Sequence, residues 1–189
     1  MSEEMVIKHC SPTLAGLKTG SMFTCQCGRQ EMIDLEIETL NGKLSSKGVK
    51  VMLLRKRDGR ALIYVFRPEA LISDLKNELT CSLLKERGYC CDDPAKCIGN
   101  LINRLSQPGH RDDFPHEIGL FLGFPPEDVA GFIENGAKDC KCSGYWKVYG
   151  DEEKARNLFR RFKKCTQIYS DCFKKGYSLE KLTVIRKNS

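Results

Sequence analysis

The chain has 189 residues, 41% of them hydrophobic, and a formal net charge of +6. That length and apolar share suit a single domain with a packed core and exclude a disordered chain. The acidic start, Met1 to Lys8, lacks the apolar stretch of a secretion signal, and the longest purely apolar run, Ala61 to Phe66, is too short to span a bilayer.

In chain order, Ser11-Pro12 reads as a helix start, with Ser as cap and Pro at the first helical position. That helix passes through Leu14 and Leu17 and stops near Gly20. Residues 21–27 read as a strand end or a loop. Gln30 to Leu40 puts Ile33, Ile37 and Leu40 on one helical face, with Gly42 as a stop, although the alternation Ile33, Leu35, Ile37 also permits a strand.

The apolar runs Val49–Leu54 and Ala61–Phe66 flank Asp58-Gly59, the signature of a tight hairpin. Both faces of these strands are apolar, so the hairpin is expected to be covered on both sides. Pro68 opens a helix to about Arg87, with Leu71, Leu75, Leu79 and Leu83 in register and Gly88 as its stop. Asp93-Pro94 caps another, with Cys97, Ile98, Leu101, Ile102 and Leu105 on its apolar face, broken by Pro108-Gly109.

A short helix follows over His116 to Leu122, ended by Gly123. Pro125-Pro126-Glu127-Asp128 starts a further one, its acidic first turn suiting the helix dipole, and Asn135-Gly136 stops it. Tyr145 to Tyr149 has strand composition. Asp151 caps the last long helix, which ends before Gly176. No repeat, low-complexity stretch or composition break interrupts the chain. The expected fold is α+β: one domain, residues 1–189, with a small sheet built on the 49–67 hairpin and packed by five to seven helices.

Charge is unevenly spread. Residues 1–42 carry six acidic and three basic side chains, residues 154–187 eleven basic and two acidic ones. The basic face of the last helix (Lys154, Arg156, Arg160, Arg161, Lys163 and Lys164) can meet phosphates of nucleic acid or an acidic protein, or be an ordinary solvated face. No nucleic-acid-recognition motif accompanies it, and neither Gly-x-Gly-x-x-Gly nor Walker A is present.

Eleven cysteines carry the chemistry. The odd count argues against a closed disulfide framework, and the expected location is the cytoplasm, where thiols stay reduced. Two Cys-x-Cys pairs, Cys25/Cys27 and Cys140/Cys142, could jointly hold zinc, iron or an iron–sulfur cluster if the fold brings them together. Cys10, read as lying just ahead of a helix N-terminus, is a candidate ligand or an activated nucleophile. His116 is its candidate base, with Glu117 as orienter. The doublet Cys90/Cys91 is a redox or soft-metal site or an incidental pair. Cys97, Cys165 and Cys172 lie on apolar helix faces as packing groups, and Cys81 lies nearer a polar face.

Three stretches together, residues 9–18 (HCSPTLAGLK), 114–129 (FPHEIGLFLGFPPEDV) and 144–149 (GYWKVY), resemble an uncharacterised bacterial family catalogued as domain of unknown function 3793. The resemblance covers nearly the whole chain and implies a cytoplasmic bacterial domain. It implies no activity and no catalytic residue. The family's anaerobic habitat favours reduced thiols and iron–sulfur chemistry.

The leading expectation is therefore a cytoplasmic cysteine-rich protein that binds a soft metal or iron–sulfur centre, or works through redox-active thiols, at Cys10, Cys25, Cys27, Cys140 and Cys142. The alternatives are a cysteine-nucleophile enzyme using Cys10 and His116, or a non-enzymatic binding module with a basic helix over 152–175.

Overall fold

The computed structural model describes residues 1–107 and 114–185. The proposed helix break at Pro108-Gly109 lies outside them. The described elements are α1 (Glu3–Leu14), β1 (Gly20–Gln26), α2 (Gln30–Leu44), a 3-10 turn (Ser45–Lys47), β2 (Lys50–Arg57) and β3 (Arg60–Phe66). They continue as α3 (Pro68–Leu75), α4 (Glu78–Lys85), α5 (Pro94–Ser106), α6 (Ile118–Phe121), α7 (Pro126–Asn135), β4 (Cys142–Ser143), β5 (Lys147–Val148), α8 (Glu152–Lys174) and α9 (Leu179–Leu182). The class is α+β. The chain forms two compact units, one from Met1–Glu69 with the chain from Phe162 onward, the other from Ala70–Arg161.

The first unit is built on an antiparallel sheet in the order β1-β3-β2. The hairpin forms where Asp58-Gly59 predicts it. Asp58 and Gly59 have φ of 50° and 69°, both in the left-handed region a tight turn demands, and Arg57 pairs with Arg60 across it. A bulge between Leu53 and Arg55 shifts the β2 register. β3 is central, and Ala61, Ile63, Tyr64, Val65 and Phe66 are buried, so both of its faces are covered as the pattern implies. Val6, Cys10 and Leu14 of α1, Ile33 and Leu40 of α2, and Leu179 of α9 complete the core of this unit.

Two helices depart from expectation here. α1 begins at Glu3, capped by Ser2, whose hydroxyl accepts from the Met5 N–H, while Ser11-Pro12 lies inside it. Proline sits there near the helix C-terminus, and the Ser11 hydroxyl donates back to the Ile7 carbonyl. A Ser-Pro pair reads equally well as a start from sequence, and only the cap decides. α2 runs past Gly42 to Leu44, because Leu40 and Leu44 both bury on the core and outweigh the glycine's cost.

Arg67, 2% exposed, ties this unit together. Its guanidinium donates to the carbonyls of Thr13 (2.7 Å), Leu14 (2.6 Å), Lys47 (3.2 Å) and Val184 (2.7 Å). It thus satisfies the open C-terminal end of α1, the 3-10 turn and the segment after α9 at once.

In the second unit the expected helix over 68–87 is two helices. Asn77 interrupts it, its side chain accepting from the Thr80 N–H at 3.0 Å as a new N-cap. The buried stripe then shifts from Leu71 and Leu75 to Thr80 and Leu84, and Leu79 is left exposed. Asp93-Pro94 caps α5 as expected, the carboxylate accepting from Ala95 and Lys96. Asp151 caps α8 by accepting from Lys154. The predicted strand at Tyr145–Tyr149 is the short β5, paired with β4.

Two outcomes test this account. Gly42 is exposed in a helix interior with nothing within 4 Å of an added Cβ. Gly42→Ala should therefore raise unfolding stability by about 0.5–1 kcal/mol in urea titration. Arg67→Ala should lower it by about 3–5 kcal/mol, since four carbonyls lose a charged donor in a buried place.

Candidate functional site

A cleft of about 340 Å³ opens in the second unit, within the range of small-molecule sites. Phe124, Phe132, Tyr145 and Trp146 give it aromatic walls, and His116, Ser143 and Lys147 supply its polar groups. Phe124 stacks on Trp146 with ring centroids 4.8 Å apart, and Phe159 backs the indole edge-on at 4.6 Å. The His116 ring meets Phe132 edge-on at 4.9 Å and Phe114 at 5.6 Å.

Asp128 fixes these walls. It is 3% exposed, and its carboxylate accepts from Trp146 Nε1 at 2.6 Å and from the backbone N–H groups of Tyr149 and Gly150, each at 2.7 Å. The sequence places Asp128 in the first turn of α7 for the helix dipole. Its larger role is to bind α7 to the 145–150 segment. Close approach finishes the fit. A Cβ on Gly131 would lie 2.4 Å from Tyr149 Cγ, and one on Gly144 2.3 Å from Phe159 Cδ2, so neither position admits a side chain without movement.

The candidate catalytic residues are distributed over the two units. Cys10 is not ahead of a helix N-terminus, as the Ser11-Pro12 reading required. It lies within α1, fully buried in the first unit's core, and burial pushes its thiol well above the usual range despite the opposing pull of Lys18. Helix-dipole activation of this thiol is accordingly absent. His116 and Glu117 belong to the second unit, in the turn before α6, which begins at Ile118 rather than at His116, and they differ in burial. His116 is exposed at the cleft. Glu117 is 2% exposed and accepts from the Tyr89 hydroxyl at 2.8 Å while pairing with Arg104 Nε at 2.8 Å. Burial, then the Glu117 charge, pushes the Tyr89 hydroxyl up, so Tyr89 stays a donor. Glu117 thus holds Tyr89 and Arg104 through one carboxylate oxygen in the interior of the second unit.

The candidate metal ligands are divided likewise. Cys10, Cys25 and Cys27 lie in the first unit, Cys140 and Cys142 in the second. Cys25 is buried near the end of β1, its thiol raised first by burial, and the half-buried Cys27 follows it. Cys140 and Cys142 are half-buried, Cys142 within β4. Among the described residues no group of three or more His, Cys, Asp or Glu side chains is arranged to hold a metal ion. The basic side chains of α8 are exposed, with Arg156 bonded to Glu152 at 2.7 Å and Arg160 donating to Asn157.

Sequence reasoning picked out His116 at this cleft but missed Trp146, Phe132, Ser143 and Lys147 as its lining. The signal was there in part. The chain's only tryptophan stands among Tyr145, Lys147 and Tyr149. Two of the stretches that carried the family resemblance, 114–129 and 144–149, supply most of the cleft. The family described as "Protein of unknown function (DUF3793)" matches residues 6–183. No curated protein and no solved structure matches the chain. Among the described residues no helix is long and apolar enough to cross a membrane.

The buried thiols set an alkaline limit on stability. Burial raises Cys97 to about 12, and Cys91 and Cys165 to about 11, from an ordinary 9.0. The folded state then keeps protons that the unfolded chain releases. The contribution is complete below pH 9 and lost as pH rises towards 11–12. Lys18, held down to about 8 by burial, acts in the opposite sense between about 8 and its ordinary 10.5. The informative quantity is therefore a difference between proteins that share Lys18. Between pH 8 and 11 the natural protein should lose more urea resistance than a Cys97→Ala/Cys165→Ala variant. Equal losses would contradict the assignment.

Proposed function

We propose that the chain, which belongs to the DUF3793 family, is a binding module that holds a small planar aromatic ligand with an acidic group in the cleft of its second unit. The observation that carries this reading is the composition of the cleft. Stacked and edge-on rings form its walls, and the side chains of Ser143, His116 and Lys147 can each donate a hydrogen bond.

Aromatic walls favour a flat ring, since offset and edge-on contacts add about 0.5–1.5 kcal/mol per pair beyond area burial. Asp128 lines the cleft, but its oxygens already take three N–H donors, so it presents little acceptor capacity to a ligand. That leaves Lys147, half-buried, and His116 as the groups a carboxylate or similar anion would meet.

The same facts weigh against a hydrolase. Ser143, His116 and Asp128 all line the cleft, yet among the described residues no hydrogen bond joins any two of them, and Asp128 accepts from three N–H groups elsewhere. The reading keeps the binding-module class of the sequence expectations and moves its site from the basic helix to the cleft.

Because Trp146 is the only tryptophan, intrinsic fluorescence reports directly on the cleft. Titration with aromatic carboxylates should give a saturable change, and the matching neutral amides should bind more weakly. Lys147→Met should weaken the carboxylate by about tenfold, or about 1.4 kcal/mol, and leave the amide unaffected. Phe132→Ala should weaken both. Absence of a saturable change with every aromatic acid tried, or a preference for cationic analogues, would refute the proposal.

A further inference from the structure

The second unit brings together thiols that the sequence keeps apart. Cys81 sits on α4 and Cys91 ten residues later, in the loop that leads to α5. The Cys91 thiol donates to the Cys81 carbonyl at 3.6 Å, which sets the two cysteines side by side. Lys85 follows Cys81 by one helical turn on α4. Among the described residues no third ligand stands ready to make this a metal centre, so the chemistry on offer is that of a dithiol.

We infer that Cys81 and Cys91 form a redox site, a dithiol that a hydroperoxide converts into a disulfide tying α4 to the loop behind it. This inference stands apart from the cleft and does not depend on it.

The two sulfurs differ in a way that assigns the order of events. Cys81 is half-buried, whereas Cys91 is 8% exposed. Cys81 thus meets the oxidant first, and the attacking form of a thiol is its thiolate. The thiolate attacks one oxygen of the hydroperoxide. A sulfur–oxygen bond forms, the oxygen–oxygen bond breaks, and the departing alkoxide takes a proton to leave as the alcohol. Cys91 then gives up its proton and attacks the sulfenic sulfur. The sulfur–sulfur bond forms, the sulfur–oxygen bond breaks, and hydroxide leaves with that proton as water. Two thiols lose two electrons in all, and the peroxide gains them.

Two other cysteines lie near the pair. Cys97 is fully buried on α5, and burial makes its thiol a poor thiolate. Cys90 adjoins Cys91 in the chain, and its backbone N–H donates to the Asn100 side chain. They supply the competing pairings that a test must separate.

The reduced protein is treated with hydrogen peroxide, blocked with N-ethylmaleimide and digested with trypsin. Cleavage after Lys76, Lys85, Arg87 and Lys96 puts Cys81 in peptide 77–85 and Cys90 and Cys91 in peptide 88–96. The linked pair of peptides should exceed every other cysteine pairing by about tenfold, with the maleimide found on Cys90. The link should persist in Cys90→Ser and vanish in Cys91→Ser. Should Cys91→Ser fail to fold, the maleimide position in the natural protein decides alone. A link through Cys90 or Cys97, or a yield no greater than in urea-unfolded protein, overturns the inference.

Discussion

The Asp128 carboxylate and its three N–H donors determine what the second unit can hold. Removing a carboxylate from water costs several kcal/mol unless its lone pairs are met. Here they are met at 2.6–2.7 Å by an indole and two successive backbone groups, all from the 145–150 segment. The geometry leaves that segment little choice. Trp146 must lie with its nitrogen towards α7, which sets its face against Phe124. Tyr149 and Gly150 must approach closely, so the glycine at 131 becomes a requirement of the contact rather than a weakness in the helix. β4 and β5, two residues each, are too short to impose such order alone.

The first unit applies the same economy with the opposite sign. Arg67 buries a cation and matches it with carbonyls that helix ends and turns leave open. In both units a single charged side chain organises irregular backbone. Regular elements supply their own hydrogen bonds, but the ends of α1, the 3-10 turn and the 145–150 segment do not, and a multidentate side chain is an efficient remedy.

This explains what could be read in the sequence and what could not. Asp58-Gly59, Asp93-Pro94 and Asp151 act on backbone groups within three residues of themselves, and the elements they mark formed where predicted. Asn77 acts as locally, but the leucines on either side continue a helical period across it and mask the break. Ser11-Pro12 is compatible with either end of a helix. The choice fell to Ser2, whose cap is less conspicuous, and with it went the reading of Cys10 as an activated thiol. The cleft was only half legible. His116 drew attention through its chemistry, whereas Phe132 and Trp146 have ordinary core composition until the fold lines them up. Asp128 was visible as an acidic residue near a helix start. Its partners lie 18 to 22 residues further on, a separation that no local rule spans. Cys91 was read with its chain neighbour Cys90 as a redox or soft-metal doublet, while Cys81 was placed near a polar helix face, so the approach of Cys91 to Cys81 was not visible in the sequence.

The reach of Arg67 has a consequence for how the chain is made. One of its acceptors is the Val184 carbonyl, 117 residues downstream, and the first unit draws on both ends of the sequence while the second is continuous. Ribosomes release chains from the N-terminus at about 5–20 residues per second. Residues 70–161 can therefore complete their contacts while the opening 69, with Arg67 already bonded to Thr13, Leu14 and Lys47, wait for the Val184 carbonyl that follows α9. Until then the apolar faces that α9 helps to cover stay open, and β1 and β2, as the two edge strands of the sheet, offer unpaired backbone to other chains.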